Sequence, residues 1–135
     1  MDQRIVDSCY KFLRNISGFE TQENIFLEEG HIINKAHSVE RSTNCLGTCH
    51  GGFIFTICDI AAGMSVQSLN KNNVTLQASM NYIKALPQGI DFYADAYVTH
   101  RGKSTCVVEV SVYDDNKTLY NKGLYTFYVL GPVLE

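Results

Sequence analysis

The sequence predicts an α+β domain in which a curved antiparallel sheet wraps one long apolar helix, with a second helix at the N-terminus. Three observations predict it. The run from Phe53 to Val66 carries Phe53, Ile54, Phe55, Ile57, Ile60, Met64 and Val66 on all sides at helical spacing, and a helix apolar all round is a buried one. Between Arg41 and Lys71 the only formal charge is Asp59. After this run come strand-like segments joined by short turns, which is how consecutive antiparallel strands are connected. At 135 residues and 45% hydrophobic, the chain is one domain, residues 1–135, with enough apolar content for a core.

The elements follow in order. Residues Asp2 to Ile16 place Ile5, Val6, Cys9, Tyr10, Phe12, Leu13 and Ile16 at spacings of three and four, an amphipathic helix with Gly18 as its stop. Ile25 to Glu40 reads as a hairpin turning near Glu29-Gly30-His31. Its second strand sets Ile33, Lys35, His37 and Val39 against Asn34, Ala36 and Ser38, a mixed pattern expected near a sheet edge. The apolar helix opens at His50-Gly51-Gly52. Four strands then follow as a meander: Val74 to Leu86, Ile90 to Thr99, Thr105 to Tyr113 and Leu119 to Leu130. Turns at Pro87-Gln88-Gly89, Arg101-Gly102-Lys103 and Asp114-Asp115-Asn116-Lys117 separate them. Phe92, Ala94, Ala96 and Val98 alternate with Asp91, Tyr93, Asp95 and Tyr97, while Cys106, Val108, Val110 and Val112 form a core face. Gly123 is expected to mark a bulge.

Composition removes several function classes. A net charge of −3 with both signs scattered leaves no basic footprint for nucleic acid. The apolar helix turns rich in small residues after Ile60, which speaks against a membrane span. The start MDQRIVDSCYKFL has no apolar core of a signal peptide. Five cysteines, odd in number and without framework spacing, fit a cytoplasmic or other reduced intracellular compartment.

The chemistry concentrates where the apolar helix begins. Asn44, Gly47, His50, Gly51 and Gly52 precede or open it. The first backbone N–H groups of a helix lack internal partners and sit at the positive end of its dipole. Glycine there lets a ligand come close, so such an end can hold an oxyanion or polarise a carbonyl. Asn44 can add a side-chain amide. Asp59 is a lone carboxylate in an apolar element, costly unless paired, hydrogen-bonded or protonated. It is therefore either a satisfied structural group or a chemical one. Gly51 and Asp59 stand eight residues apart, about 12 Å along a helix, and cannot both touch one reacting carbon. If they cooperate, two chains must bring their helices together antiparallel, with two equivalent sites about a two-fold axis.

Asn44, Gly47, His50, Gly51 and Gly52, followed seven residues later by Asp59, resemble the motif of the hotdog-fold acyl-CoA thioesterases. The branch is the phenylacetate-pathway (PaaI-like) type, with its mammalian thioesterase-superfamily members. Met80-Asn81-Tyr82 with Pro87, and Arg101-Gly102-Lys103-Ser104, are similar to later strands of that family. The resemblance implies that the Gly51 N–H polarises the thioester carbonyl, with Gly52 beside it, and that Asn44 binds that oxygen or the water. It implies Asp59 of the neighbouring subunit as general base or nucleophile, and His50 near the leaving sulfur. A hydroxyl residue of the following strand orients the water in this branch. The register from Pro87 puts Gln77 there, with Thr75 and Ser79 two residues to either side on the same strand face. Arg101 and Lys103 are candidates for the phosphates of coenzyme A, which is part of the substrate, so no separate cofactor is implied. The partners implied are a homodimer and, by family habit, a dimer of dimers.

Other readings compete. Cys49 at a helix start is a candidate thiolate, although adjacent Cys49 and His50 are poorly placed for mutual activation. Cys45, Cys49 and His50 lack the second pair that a tetrahedral metal site needs. A non-catalytic acyl-CoA- or lipid-binding hotdog module is the alternative from a different class. A hotdog dehydratase is a third reading, but His50 with Asp59 does not match its spacing. Tyr82, Tyr93, Tyr97, Phe53 and Phe55 are either walls of an acyl pocket or core residues.

Overall fold

The computed structural model describes residues 1–13 and 22–135. Helix α1 (Gln3–Tyr10) starts at Asp2, whose carboxylate accepts the Arg4 N–H at 2.8 Å. It tightens to a 3-10 turn over Lys11–Leu13. The expected continuation to Ile16 and the stop at Gly18 lie outside the described residues. The hairpin is β1 (Glu23–Glu28) and β2 (His31–His37), turning through Gly30 at φ +80°. Helix α2 (Gly51–Gln67) is the apolar run, followed by β3 (Lys71–Tyr82), β4 (Asp91–Arg101), β5 (Thr105–Tyr113) and β6 (Leu119–Pro132).

All strand pairs are antiparallel, in the order β1-β2-β4-β5-β6-β3. Only β4, β5 and β6 therefore form a meander. The expected pairing of β3 with β4 does not occur: β3 lies on the far edge, beside β6. The turn around Pro87 explains it. The Gly89 N–H bonds the Ser38 carbonyl, the Ser38 N–H bonds Ile90, and the Cys49 N–H bonds Leu86. These bonds tie the segment between β3 and β4 to the loops after β2 and before α2, leaving no tight hairpin. Leu86, which was expected to end β3, is instead an anchor of this crossing, 1% exposed.

Helix α2 lies across the sheet and touches β2 to β6. Ile54, Ile57, Cys58, Ala61 and Met64 meet Phe92, Ala94, Ala96, Val108, Val110, Tyr125 and Phe127 in one buried cluster. Each large aliphatic or aromatic side chain fully buried there contributes roughly 1.5–3 kcal/mol. The expected bulge at Gly123 is absent, because Gly123 pairs in register with both Met80 and Val110. A Cβ at Gly123 would lie 2.6 Å from the Ser79 carbonyl oxygen and 3.2 Å from the Met80 sulfur, so close packing is what asks for glycine. The bulge falls on β3 instead, between Thr75 and Gln77. Among the described residues no helix is long and apolar enough to cross a membrane.

Candidate active site

One row of α2 carries Gly51, Phe55, Asp59, Gly63 and Gln67, each four residues from the last, so neighbours in the row lie above one another and the row winds slowly around the helix. Every member is hydrogen-bonded to the β6–β3 side of the sheet. The Tyr82 hydroxyl donates to the Gly51 carbonyl at 2.7 Å, and the Tyr125 hydroxyl to the Phe55 carbonyl at 2.8 Å. Thr75 Oγ1 donates to Asp59 Oδ1 at 2.6 Å. Asn73 Nδ2 donates to the Gly63 carbonyl at 3.2 Å, and Gln67 Nε2 to Asn72 Oδ1 at 2.9 Å. Of the α2 groups that accept these bonds, only Asp59 is ionisable.

Asp59 is half-buried. Burial pushes its carboxyl above the usual range, and the Thr75 hydroxyl, which favours the ionised form, opposes the shift only in part. A carboxylate held by one hydroxyl, with its pKa raised, has the character of a proton acceptor. Cys49 lacks the character of a nucleophile: it is 6% exposed, and burial pushes its thiol up to about 11.

The start of α2 is built by the preceding loop. Asn44 Oδ1 accepts the Leu46 N–H at 2.9 Å and the Thr48 N–H at 3.2 Å, while its Nδ2 donates to Thr48 Oγ1 at 3.0 Å. Gly47, at φ +79°, makes this tight turn possible. The Asn44 side chain thus braces the loop, and one of its two N–H bonds remains after the Thr48 contact. His50 caps α2 with its backbone, bonds the Ser42 carbonyl through its N–H at 2.7 Å, and is exposed. Gly51 opens α2 beneath the Tyr82 ring, whereas Gly52 has nothing within 4 Å of where a Cβ would stand.

The structure therefore gathers Asn44, His50, Gly51 and Gly52 at one end of α2 and sets Asp59 with Thr75 two turns along. Gln77 is not beside Asp59. The bulge at Leu76 puts Thr75 opposite Phe127, which is buried, and Gln77 opposite Thr126, whose neighbours on both sides point inward. Thr75 and Gln77 consequently face opposite sides of β3, correcting the expectation that they share one. The Gln77 amide donates instead to the Ala78 carbonyl. Sequence alone offered no signal for the extra residue.

Arg101 and Lys103 lie far from the Gly51 end of their own chain. The Arg101 guanidinium packs over Gly30, whose N–H bonds Ser68 at the end of α2. Lys103 is exposed on the turn after β4. Lys71 joins this basic group through a bond from Nζ to the Gly102 carbonyl, a residue the sequence reading did not single out. The aromatic candidates divide. Tyr93 and Tyr97 face outward and bond Asp115 and Glu109, Phe53 packs on Phe92, and Phe55 packs on Tyr125. Only Tyr82 meets the helix start.

An antiparallel sheet wrapped around one long helix, with a second helix at the N-terminus, is the hotdog fold. The profile of the thioesterase superfamily matches residues 46–120, and the chain belongs to that family. A protein of Streptococcus mutans UA159, solved bound to acetyl CoA, is 37% identical, with 89% of this chain and 97% of that one covered and a TM-score of 0.83. The Hypothetical Thioesterase Protein of Streptococcus pneumoniae TIGR4, solved with coenzyme A, is 32% identical, covering 94% and 98%, at a TM-score of 0.86. That protein has also been solved with an aspartate, and separately a threonine, replaced by alanine. The PaaI protein of the E. coli phenylacetic acid degradation operon shares the fold at a TM-score of 0.88, with 18% identity over 96% of each chain.

Proposed function

We propose that this chain is an acyl-CoA thioesterase whose site is shared between two subunits. The observation that carries the proposal is the Thr75–Asp59 bond of 2.6 Å, set about two helical turns from the open amides at Gly51 and Gly52. Asp59, held by Thr75, acts as general base on water or as nucleophile at the thioester carbonyl. The Gly51 N–H, with the free N–H of Asn44, stabilises the oxyanion that forms. Collapse of the tetrahedral intermediate breaks the carbon–sulfur bond and releases coenzyme A as thiolate beside His50. On the base route the acid leaves directly and the proton held by Asp59 passes to the thiolate or to solvent; on the nucleophile route water cleaves the acyl–Asp59 anhydride before the acid leaves as carboxylate. The aspartate and threonine altered in the S. pneumoniae thioesterase stand sixteen positions apart, the separation of Asp59 and Thr75, which supports this pair as the working one.

The two halves of the site lie about 12 Å apart on one rigid helix, so an antiparallel partner is needed to supply Gly51 to each Asp59. β3 is an edge strand with Val74 49% and Leu76 60% exposed, and its pairing with the same strand of a second copy supplies that geometry. Further association gives a dimer of dimers. Lys71, Arg101 and Lys103 lie toward the end of α2 opposite Gly51, so antiparallel packing turns them toward the partner's helix start, where they are candidates for the phosphates of coenzyme A.

The test is free-thiol release from aryl-, short-, medium- and long-chain acyl-CoA substrates. Wild-type protein is expected to turn over part of the panel. Asp59→Asn is expected to lose about 10²–10⁴ of that rate while keeping its fold and its affinity for coenzyme A. Undiminished turnover by Asp59→Asn removes Asp59 from the mechanism. Coenzyme A binding without any turnover by the wild type leaves the non-catalytic acyl-CoA-binding module as the correct reading.

A further inference from the structure

Tyr82 ends β3 and is 51% exposed, yet both ends of its side chain are engaged at the start of α2. Its hydroxyl donates to the Gly51 carbonyl at 2.7 Å. Its ring lies where a Gly51 side chain would begin: a Cβ there would stand 3.0 Å from Tyr82 Cζ, 3.1 Å from Cε1 and 3.2 Å from the hydroxyl oxygen. Gly52, the next residue, meets nothing within 4 Å. The two glycines therefore differ. One is covered by this chain's own strand, and the other faces open space.

We infer that Tyr82 is a positioning residue for the carbonyl-polarising end of α2, fixing the Gly51–Gly52 peptide through its carbonyl and so holding the Gly52 N–H and the neighbouring Gly51 N–H in place. The inference rests on the thioesterase reading above. An unanchored first turn frays, because its N–H groups have no helical partners. A strand-borne hydroxyl on the Gly51 carbonyl removes that freedom before substrate arrives, and preorganised donors are worth most when they need not reorient during reaction. Tyr125 does the same for Phe55 one turn further on, so the first two turns hang from the sheet by two tyrosine hydroxyls. A second consequence concerns Gly51 itself. Its lack of a side chain is required by the Tyr82 ring, and the thioester approaches over Gly52.

The test combines turnover with amide exchange. Tyr82→Phe keeps the ring and removes the hydroxyl. It is expected to lower kcat about tenfold, the equivalent of about 1.4 kcal/mol, with KM within twofold and an unchanged thermal midpoint. Hydrogen exchange at the Ile54 amide, which bonds the His50 carbonyl at 3.2 Å and closes the first turn, should accelerate in the same variant. Gly51→Ala is expected to depress kcat strongly beside Tyr82 but to add no further loss, within twofold, in a Tyr82→Ala background. Full kcat with unchanged Ile54 exchange in Tyr82→Phe overturns the inference. So does an equal Gly51→Ala loss in both backgrounds, which would show that the substrate, not the Tyr82 ring, needs the space above Gly51. If wild-type protein hydrolyses no acyl-CoA, the thioesterase reading fails, and Ile54 exchange in Tyr82→Phe still decides whether Tyr82 anchors the helix start.

Discussion

Replacing Thr75 by valine keeps the shape of the side chain and its preference for a strand but removes the hydroxyl that bonds Asp59 at 2.6 Å. A hydrogen bond to a charged group contributes about 1.5–3 kcal/mol. Thr75 is exposed in the single chain, so water competes and the low end applies. That predicts a loss of about tenfold in kcat at neutral pH. The pH dependence follows from the same bond. It favours the ionised carboxylate, so its loss leaves burial unopposed and moves the Asp59 pKa further upward. The acid limb of kcat/KM therefore shifts to higher pH, and the deficit is larger at pH 6 than at pH 8. Stability changes with the same sign. A carboxyl whose folded-state pKa is raised contributes stability fully below its unfolded pKa and loses it as pH rises through the folded pKa. Thr75→Val widens that window upward, so denaturation midpoints should fall more at pH 8 than at pH 4. Thr75→Ser should restore both rate and pH profile. An unmoved acid limb together with wild-type kcat in Thr75→Val would show that Thr75 plays no part in holding Asp59.

Two further outcomes are expected. Gly63→Ala places a Cβ 2.7 Å from the Phe12 ring, an overpacking cost of about 1–3 kcal/mol partly offset by about 1 kcal/mol of helix propensity. The thermal midpoint should fall and recover when Phe12 is shortened to leucine. Arg101→Gln should raise KM about five- to tenfold for acyl-CoA by loss of a phosphate contact, leave KM unchanged for an acyl-pantetheine lacking the nucleotide, and leave kcat intact for both.

The apolar run in α2 was legible because nothing but burial explains seven large apolar residues around one charge. The strands β4 and β5 were legible because period-two alternation survives wherever one face is wet, and Cys106, Val108, Val110 and Val112 all prove fully buried. The position of β3 was not legible. A turn sequence such as Pro87-Gln88-Gly89 states that the chain bends, and says nothing of which strand it reaches. The partners that decide this, Ser38 and Cys49, are remote in sequence. The same limit applied at Asp59. Its isolation marked it, but the choice between Thr75 and Gln77 depended on one extra residue in β3, and a single insertion reverses the side on which every later side chain points. Tyr82 was visible only as an aromatic, since a hydroxyl bonded to a helix carbonyl leaves no periodic trace.

The position of β3 joins the architecture to the chemistry. Exposed edge strands are usually protected by charges, proline or a bulge. From Val74 to Tyr82 this one carries no charged residue and no proline, and its bulge re-aims Thr75 toward α2. On the proposed pairing a second copy covers it. The side chains it sends inward, Asn73, Thr75 and Tyr82, bond the stripe of α2 that holds both Gly51 and Asp59. On that pairing the partner also closes over the carboxylate, removing water from a group that burial already makes more basic. On the proposed antiparallel pairing, Gly51 and Asp59 of one chain serve two different sites, so the rigid spacing along α2 fixes the distance between those sites. The bonds from β3 and β6 then hold the donors of one centre and the base of the other on the same support.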